Sequence, residues 1–159
     1  GRNNVLVLHT CGKALGQAGA LLTLPQVMKD YLINAARSFI YTTAPTPLAA
    51  VAVQRALEVV RDEPERRDQL FDLIAYAHRI FAGAPGVSPG ETQIMPLVVG
   101  SDGNALAMAQ HLQAQGFDIR AIRTPTVAEG SARLRLSITL NVTKADIDAL
   151  AEAYRLKVG

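Results

Sequence analysis

The chain has 159 residues, 49% of them hydrophobic and 19% charged, a balance that suits a folded globular protein and excludes a disordered one. Lys and Arg number 16 against 14 Asp and Glu, for a net charge of +2, and no basic run interleaved with aromatics points to nucleic acid. Cys11 is the single cysteine, which excludes an intrachain disulfide and suits a reducing cytoplasm, while Lys, Arg or Asp interrupts every apolar stretch short of membrane-spanning length.

The first residues, Gly1-Arg2-Asn3, resemble no signal or transit peptide and read as a turn. Val5 to His9 then has the apolar, β-branched pattern of a strand buried on both faces. Thr10 to Gly19 is punctuated by Gly12, Gly16 and Gly19 and reads as a loop. A second strand is expected over Ala20 to Leu24, and Pro25 suits the first turn of a helix running to about Ala36, where its missing N–H needs no partner. Phe39 to Thr43 has strand composition and is stopped by Pro45 and Pro47.

A helix is expected from Pro47 to Arg61, and another after Pro64 with Leu70, Ile74, Ala77 and Phe81 on one apolar stripe. Gly83-Ala84-Pro85-Gly86 and Ser88-Pro89-Gly90 form the most linker-like segment, and a domain boundary is placed there. Beyond it, Ile94 to Val99 reads as a strand and Asn104 to Gln115 as a helix; Ile119 to Ile122 and Ala132 to Thr139 read as strands. Thr143, with Asp146 three residues on, reads as the cap of a last helix carrying Ile147, Leu150 and Tyr154. This order makes a compact α+β unit.

Lys13 is the most pointed candidate for chemistry. It follows a strand in a glycine-rich loop, with Thr10 three residues before it. An amine held in a partly desolvated loop becomes a nucleophile or base, and a nearby hydroxyl can hold a phosphate; the spacing equally admits a solvated lysine in a surface turn. A Walker loop would need Ser or Thr after the lysine, and a dinucleotide fingerprint would need glycines closer together than Gly12, Gly16 and Gly19; neither fits. Arg133 and Arg135 alternate with Leu134 and Leu136, so both arginines share one strand face. That face could take a carboxylate or pair with a neighbouring acid, and Arg120 and Arg123 could widen it. Thr42 and Thr43 end the aromatic segment, and His9, His78 and His111 lack metal-ligand spacing.

His9-Thr10-Cys11-Gly12-Lys13-Ala14-Leu15-Gly16 resembles the cofactor-lysine motif of the α-oxoamine synthases. The resemblance continues in Arg37-Ser38-Phe39-Ile40-Tyr41-Thr42-Thr43-Ala44-Pro45, in Pro96-Leu97-Val98-Val99-Gly100, in Ile122-Arg123-Thr124-Pro125-Thr126-Val127 and in Gly130-Ser131-Ala132-Arg133-Leu134-Arg135. It implies an α/β fold. Residues 1–88 would be the C-terminal portion of the large domain of a type I pyridoxal-phosphate transferase, and residues 89–159 a small C-terminal α+β domain. The implied activity is a decarboxylative condensation of L-alanine with a pimeloyl thioester in biotin biosynthesis, carried out by a cytoplasmic homodimer. Lys13 would bind pyridoxal 5'-phosphate covalently and act as the catalytic base. Thr10 would bind the cofactor phosphate, and Thr42 or Thr43 would reach it in the other subunit's site. Arg135 would clamp the amino-acid carboxylate, and Thr126 would contact substrate near the acyl chain.

Thr124 and Ala20 depart from the family pattern, which has proline and glycine there. The family's ring-pairing aspartate, ring-stacking histidine and phosphate loop belong upstream of the lysine motif and are absent from this chain, so the chain by itself is expected to be inactive. The alternatives are another member of the same family using glycine or serine, and, from a different class, a non-catalytic dimerisation or binding module derived from the fold.

Overall fold

The computed structural model describes residues 4–158; the turn expected at residues 1–3 lies outside them. The chain forms two compact units, Gly1–Pro64 and Glu65–Gly159.

The first unit opens with an antiparallel ribbon of β1 (Val7–Thr10) and β2 (Ala20–Thr23), in a register that sets Val7 opposite Thr23 and Thr10 opposite Ala20. Three helices follow: α1 (Gln26–Ala35), α2 (Arg37–Ile40) and α3 (Pro47–Asp62). The proline signals hold. Pro25 flanks α1 in extended geometry, and Pro47 opens α3 behind Thr46, whose Oγ1 accepts from the Ala49 N–H at 3.3 Å.

Two expectations fail in this unit. All four residues of β1 are exposed, not buried on both faces, because a two-stranded ribbon supplies no second layer to cover its apolar run. The segment expected as a strand at Phe39 to Thr43 begins as α2 instead. The Tyr41 N–H donates to the Arg37 carbonyl at 3.1 Å, and the Arg37 guanidinium lies 5.9 Å from the centroid of the Tyr41 ring. That one-turn contact rewards helix, and the aromatic, β-branched composition was too weak a preference to oppose it.

The second unit comprises α4 (Glu65–Ile80), β3 (Ile94–Gly100), α5 (Asp102–Gln113), β4 (Arg120–Ile122), β5 (Ala132–Ser137) and α6 (Lys144–Val158). Its sheet is antiparallel with β5 between β3 and β4. Strand alternation sends Met95, Leu97, Leu134 and Leu136 into a core shared with Ile74, Ala77 and Phe81 of the first helix and its exit, Leu112 of α5, and Ile147, Leu150 and Tyr154 of α6. Each large apolar side chain buried there contributes about 1.5–3 kcal/mol.

Tyr154 is fully buried, its hydroxyl donating to the Pro85 carbonyl at 2.7 Å and its ring 6.2 Å from that of Phe81. Farther along the same two helices, the Tyr76 hydroxyl donates to both carboxylate oxygens of Asp148, at 2.7 and 2.8 Å, which holds the phenol above the usual tyrosine range. The loop after α4 is tied to the sheet: the Val98 N–H donates to the Gly86 carbonyl at 2.9 Å, and Val87 bridges Leu97.

Candidate cofactor and substrate sites

The loop joining β1 to β2 is closed by its own backbone. The Cys11 N–H donates to the Gly19 carbonyl at 2.9 Å and the Gln17 N–H to the Cys11 carbonyl at 2.9 Å; the Gly16 N–H closes a tight turn on the Lys13 carbonyl at 3.0 Å. Cys11 is buried at the base of this loop, and Lys13 is exposed beyond it. Among the described residues Lys13 has no hydrogen-bond or ion-pair partner. Thr10, the last residue of β1, stands at the loop's entrance with an exposed side chain. From Thr10 to Gly19 there is no carboxylate, so the loop offers an ammonium, a hydroxyl and backbone N–H groups. Such a donor set fits an anionic group bearing a carbonyl.

Thr42 and Thr43 are exposed in the irregular stretch between α2 and α3. They belong to the same unit as Thr10 and Lys13, whereas Thr126 and Arg135 belong to the second.

On β5 the expected alternation holds: Leu134 and Leu136 are buried, and Arg133 and Arg135 lie on the opposite face. Register then adds what spacing could not. Arg135 faces Pro96 of β3 on one side and Arg120 of β4 on the other, while Arg133 faces Val98 and Ile122. Arg133 is half-buried with its Nε donating to the Ser131 carbonyl at 2.9 Å, and the Arg120 Nε donates to the Asp118 carboxylate at 2.8 Å. Arg135 has no such partner among the described residues. Like charges directly across a ladder repel, and an anion between them relieves the repulsion.

Thr126 is exposed in the turn after β4, its N–H donating to the Arg123 carbonyl at 2.9 Å. One contact there escaped the sequence reading: the Thr124 hydroxyl donates to Asp102, 22 residues earlier, at 2.6 Å. No local spacing announces a pair so far apart. His78 Nε2 lies 3.1 Å from the Thr92 carbonyl oxygen. Among the described residues no group of His, Cys, Asp and Glu could hold a metal ion, and no helix is long and apolar enough to cross a membrane.

The family model for aminotransferase class I and II matches residues 1–153. The chain belongs to the aminotransferase class I and II family. Among relatives in this family, it is 39% identical over 150 residues to an 8-amino-7-oxononanoate synthase of Chromobacterium violaceum, a match covering 94% of this chain and 39% of that protein. The crystal structure of 8-amino-7-oxononanoate synthase from Francisella tularensis superposes with a TM-score of 0.83 at 25% identity, over 97% of this chain and 45% of the other. A serine palmitoyltransferase solved with pyridoxal phosphate superposes with a TM-score of 0.86 at 20% identity, over 95% of this chain and 39% of that one. The fold is thus the α/β transferase fold that the motifs implied, and the chain spans about two fifths of the length of the curated relatives it matches.

Proposed function

We propose that this chain is part of a pyridoxal-phosphate-dependent acyltransferase that condenses L-alanine with a pimeloyl thioester, releasing the carrier thiol and carbon dioxide, as the step that builds the carbon skeleton of biotin. The observation that carries this reading is Lys13: an unpaired amine at the tip of a loop locked by three backbone hydrogen bonds and free of carboxylates. The choice of substrates is supported by the similarity to 8-amino-7-oxononanoate synthases over nearly the whole chain.

Pyridoxal phosphate, when bound, supplies an electron-withdrawing ring that stabilises a carbanion at the amino acid's Cα. Lys13 Nζ would hold it covalently and, as a free amine, would take and return the proton at Cα. Thr10 Oγ1 donates to the cofactor phosphate. Thr42 or Thr43 would donate to the phosphate in the partner subunit's site of a homodimer. Arg135 grips the carboxylate of alanine; its free guanidinium, facing Arg120, is preset for an anion. Thr126 contacts the acyl donor.

In the complete, cytoplasmic protein, residues 1–88 belong to the cofactor-binding large domain and residues 89–159 to the small domain, and catalysis requires the remaining length of the polypeptide.

The test is borohydride reduction after addition of pyridoxal phosphate, followed by peptide mass mapping. A reduced adduct confined to Lys13 supports the reading; adducts scattered over the surface lysines reject a shaped site in this chain. Comparing alanine, glycine and serine as amino donors to the full-length protein then separates the proposed substrate from those of other family branches.

A further inference from the structure

Thr124 sits inside the turn that carries Thr126. The Arg123 carbonyl closes that turn by accepting from the N–H groups of Thr126 at 2.9 Å and Val127 at 3.3 Å. The Thr124 side chain leaves the turn and donates to one carboxylate oxygen of Asp102 at 2.6 Å, while its N–H lies 3.4 Å from the other. The short hydroxyl contact has the length of a charge-assisted hydrogen bond, the stronger kind.

Asp102 is well placed to anchor. It is the first residue of α5, half-buried, directly after the cap Ser101, whose Oγ accepts from the Asn104 N–H at 3.1 Å. Its charge sits at the positive end of the helix dipole. The helix is fixed in turn by Ala105, Met108, Ala109 and Leu112, all buried in the core. The exposed turn is therefore tied to a rigid element through one residue pair.

A cleft of about 760 Å³ beside this pair is lined by Gly100, Ser101, Asp102, Thr124, Glu129 and Gly130. Two carboxylates in that lining repel an anion, so the α5 N-terminus does not serve as a site for the phosphate or carboxylate of an acyl donor. Asp102 acts on the neighbouring turn instead.

We infer that Asp102 is a positioning residue that, through Thr124, holds the 123–127 turn so that Thr126 meets the acyl donor in one orientation. This rests on the acyltransferase reading above. Losing the hydroxyl removes the charge-assisted hydrogen bond that braces the turn, so the backbone closure on Arg123 still forms but opens more often.

The experiment compares Thr124→Val, Thr124→Ser and Asp102→Ala. Amide exchange is followed by mass spectrometry, and steady-state kinetics with pimeloyl-coenzyme A are recorded, both in the full-length holoenzyme. For Thr124→Val and Asp102→Ala, exchange at Thr126 and Val127 accelerates by about tenfold relative to the β5 amides, and KM for pimeloyl-coenzyme A rises by about the same factor with kcat within about twofold. Thr124→Ser, which keeps the hydroxyl, restores both. Unchanged exchange, or faster exchange with an unmoved KM, overturns the inference and leaves the acyltransferase reading standing. If the unsubstituted holoenzyme turns over no acyl thioester, that reading fails first and the inference fails with it.

Discussion

Arg135 on β5 and Arg120 on β4 are direct cross-strand partners, and only Arg120 has a carboxylate to itself. Like charges directly across a ladder repel, so this pair is expected to cost a little stability unless an anion joins it. Replacing Arg135 by Ala should leave the chain as stable or raise stability by up to about 1 kcal/mol, measured by urea denaturation. The same substitution should weaken L-alanine binding in the holoenzyme, and Lys, which lacks the two-pronged geometry, should restore it only in part. A marked loss of stability would mean that Arg135 has a structural partner instead.

Lys13 is exposed and has no partner among the described residues, so its replacement should not disturb the fold. Lys13→Arg keeps the charge but has no primary amine to attack a carbonyl. The variant should melt like the parent and lose the adduct fixed by borohydride. A single specific adduct retained on another lysine, such as Lys29, would remove Lys13 from its proposed role.

Gly83 and Gly86 both have positive φ, at 76° and 73°, yet they should answer differently to alanine. A Cβ on Gly86 would lie 1.9 Å from the Val98 carbonyl oxygen, on the backbone bridge that ties the loop to β3, whereas a Cβ on Gly83 meets nothing within 4 Å. Gly83→Ala should cost about 1 kcal/mol, from backbone strain. Gly86→Ala should cost at least about 2 kcal/mol, because the bridge itself must shift. Paired denaturation curves decide this, and equal costs would contradict the close approach.

The cap of α6 should make stability depend on pH. The Asp146 carboxylate accepts from both the N–H and the hydroxyl of Thr143, each at 2.7 Å, and these bonds hold its carboxyl below the usual aspartate range. A carboxyl depressed in the folded state contributes stability that is complete above the unfolded value and is lost as pH falls through the folded one. The advantage of the parent over Asp146→Asn should therefore be constant near neutrality and shrink on acidification through and below the ordinary aspartate range. Urea midpoints at a series of pH values measure it; a gap that stays constant into acid would place the stabilisation elsewhere.

The parts legible in the amino-acid sequence are those governed by neighbours along the chain. Pro25 and Pro47 mark helix starts, Thr143 and Asp146 make a cap, the glycines around Lys13 make a loop, and alternation at 133–136 parts arginines from leucines. Each depends on contacts a few residues apart, which is why local patterns suffice. The order of motifs also disclosed the family, because a site's residue types persist where its geometry does.

Tertiary structure decided the rest, through contacts between residues distant in sequence. Apolar composition at Val7 and Leu8 marked a strand, but burial depends on whether another layer covers it, and in the two-stranded ribbon both stay exposed. The pairing of Arg135 with Arg120 follows from sheet register, and the tie between Thr124 and Asp102 from packing that brings a turn onto a helix start. Composition along a segment carries no record of what lies opposite it, so burial, register and the tie between Thr124 and Asp102 emerge only once the chain has folded.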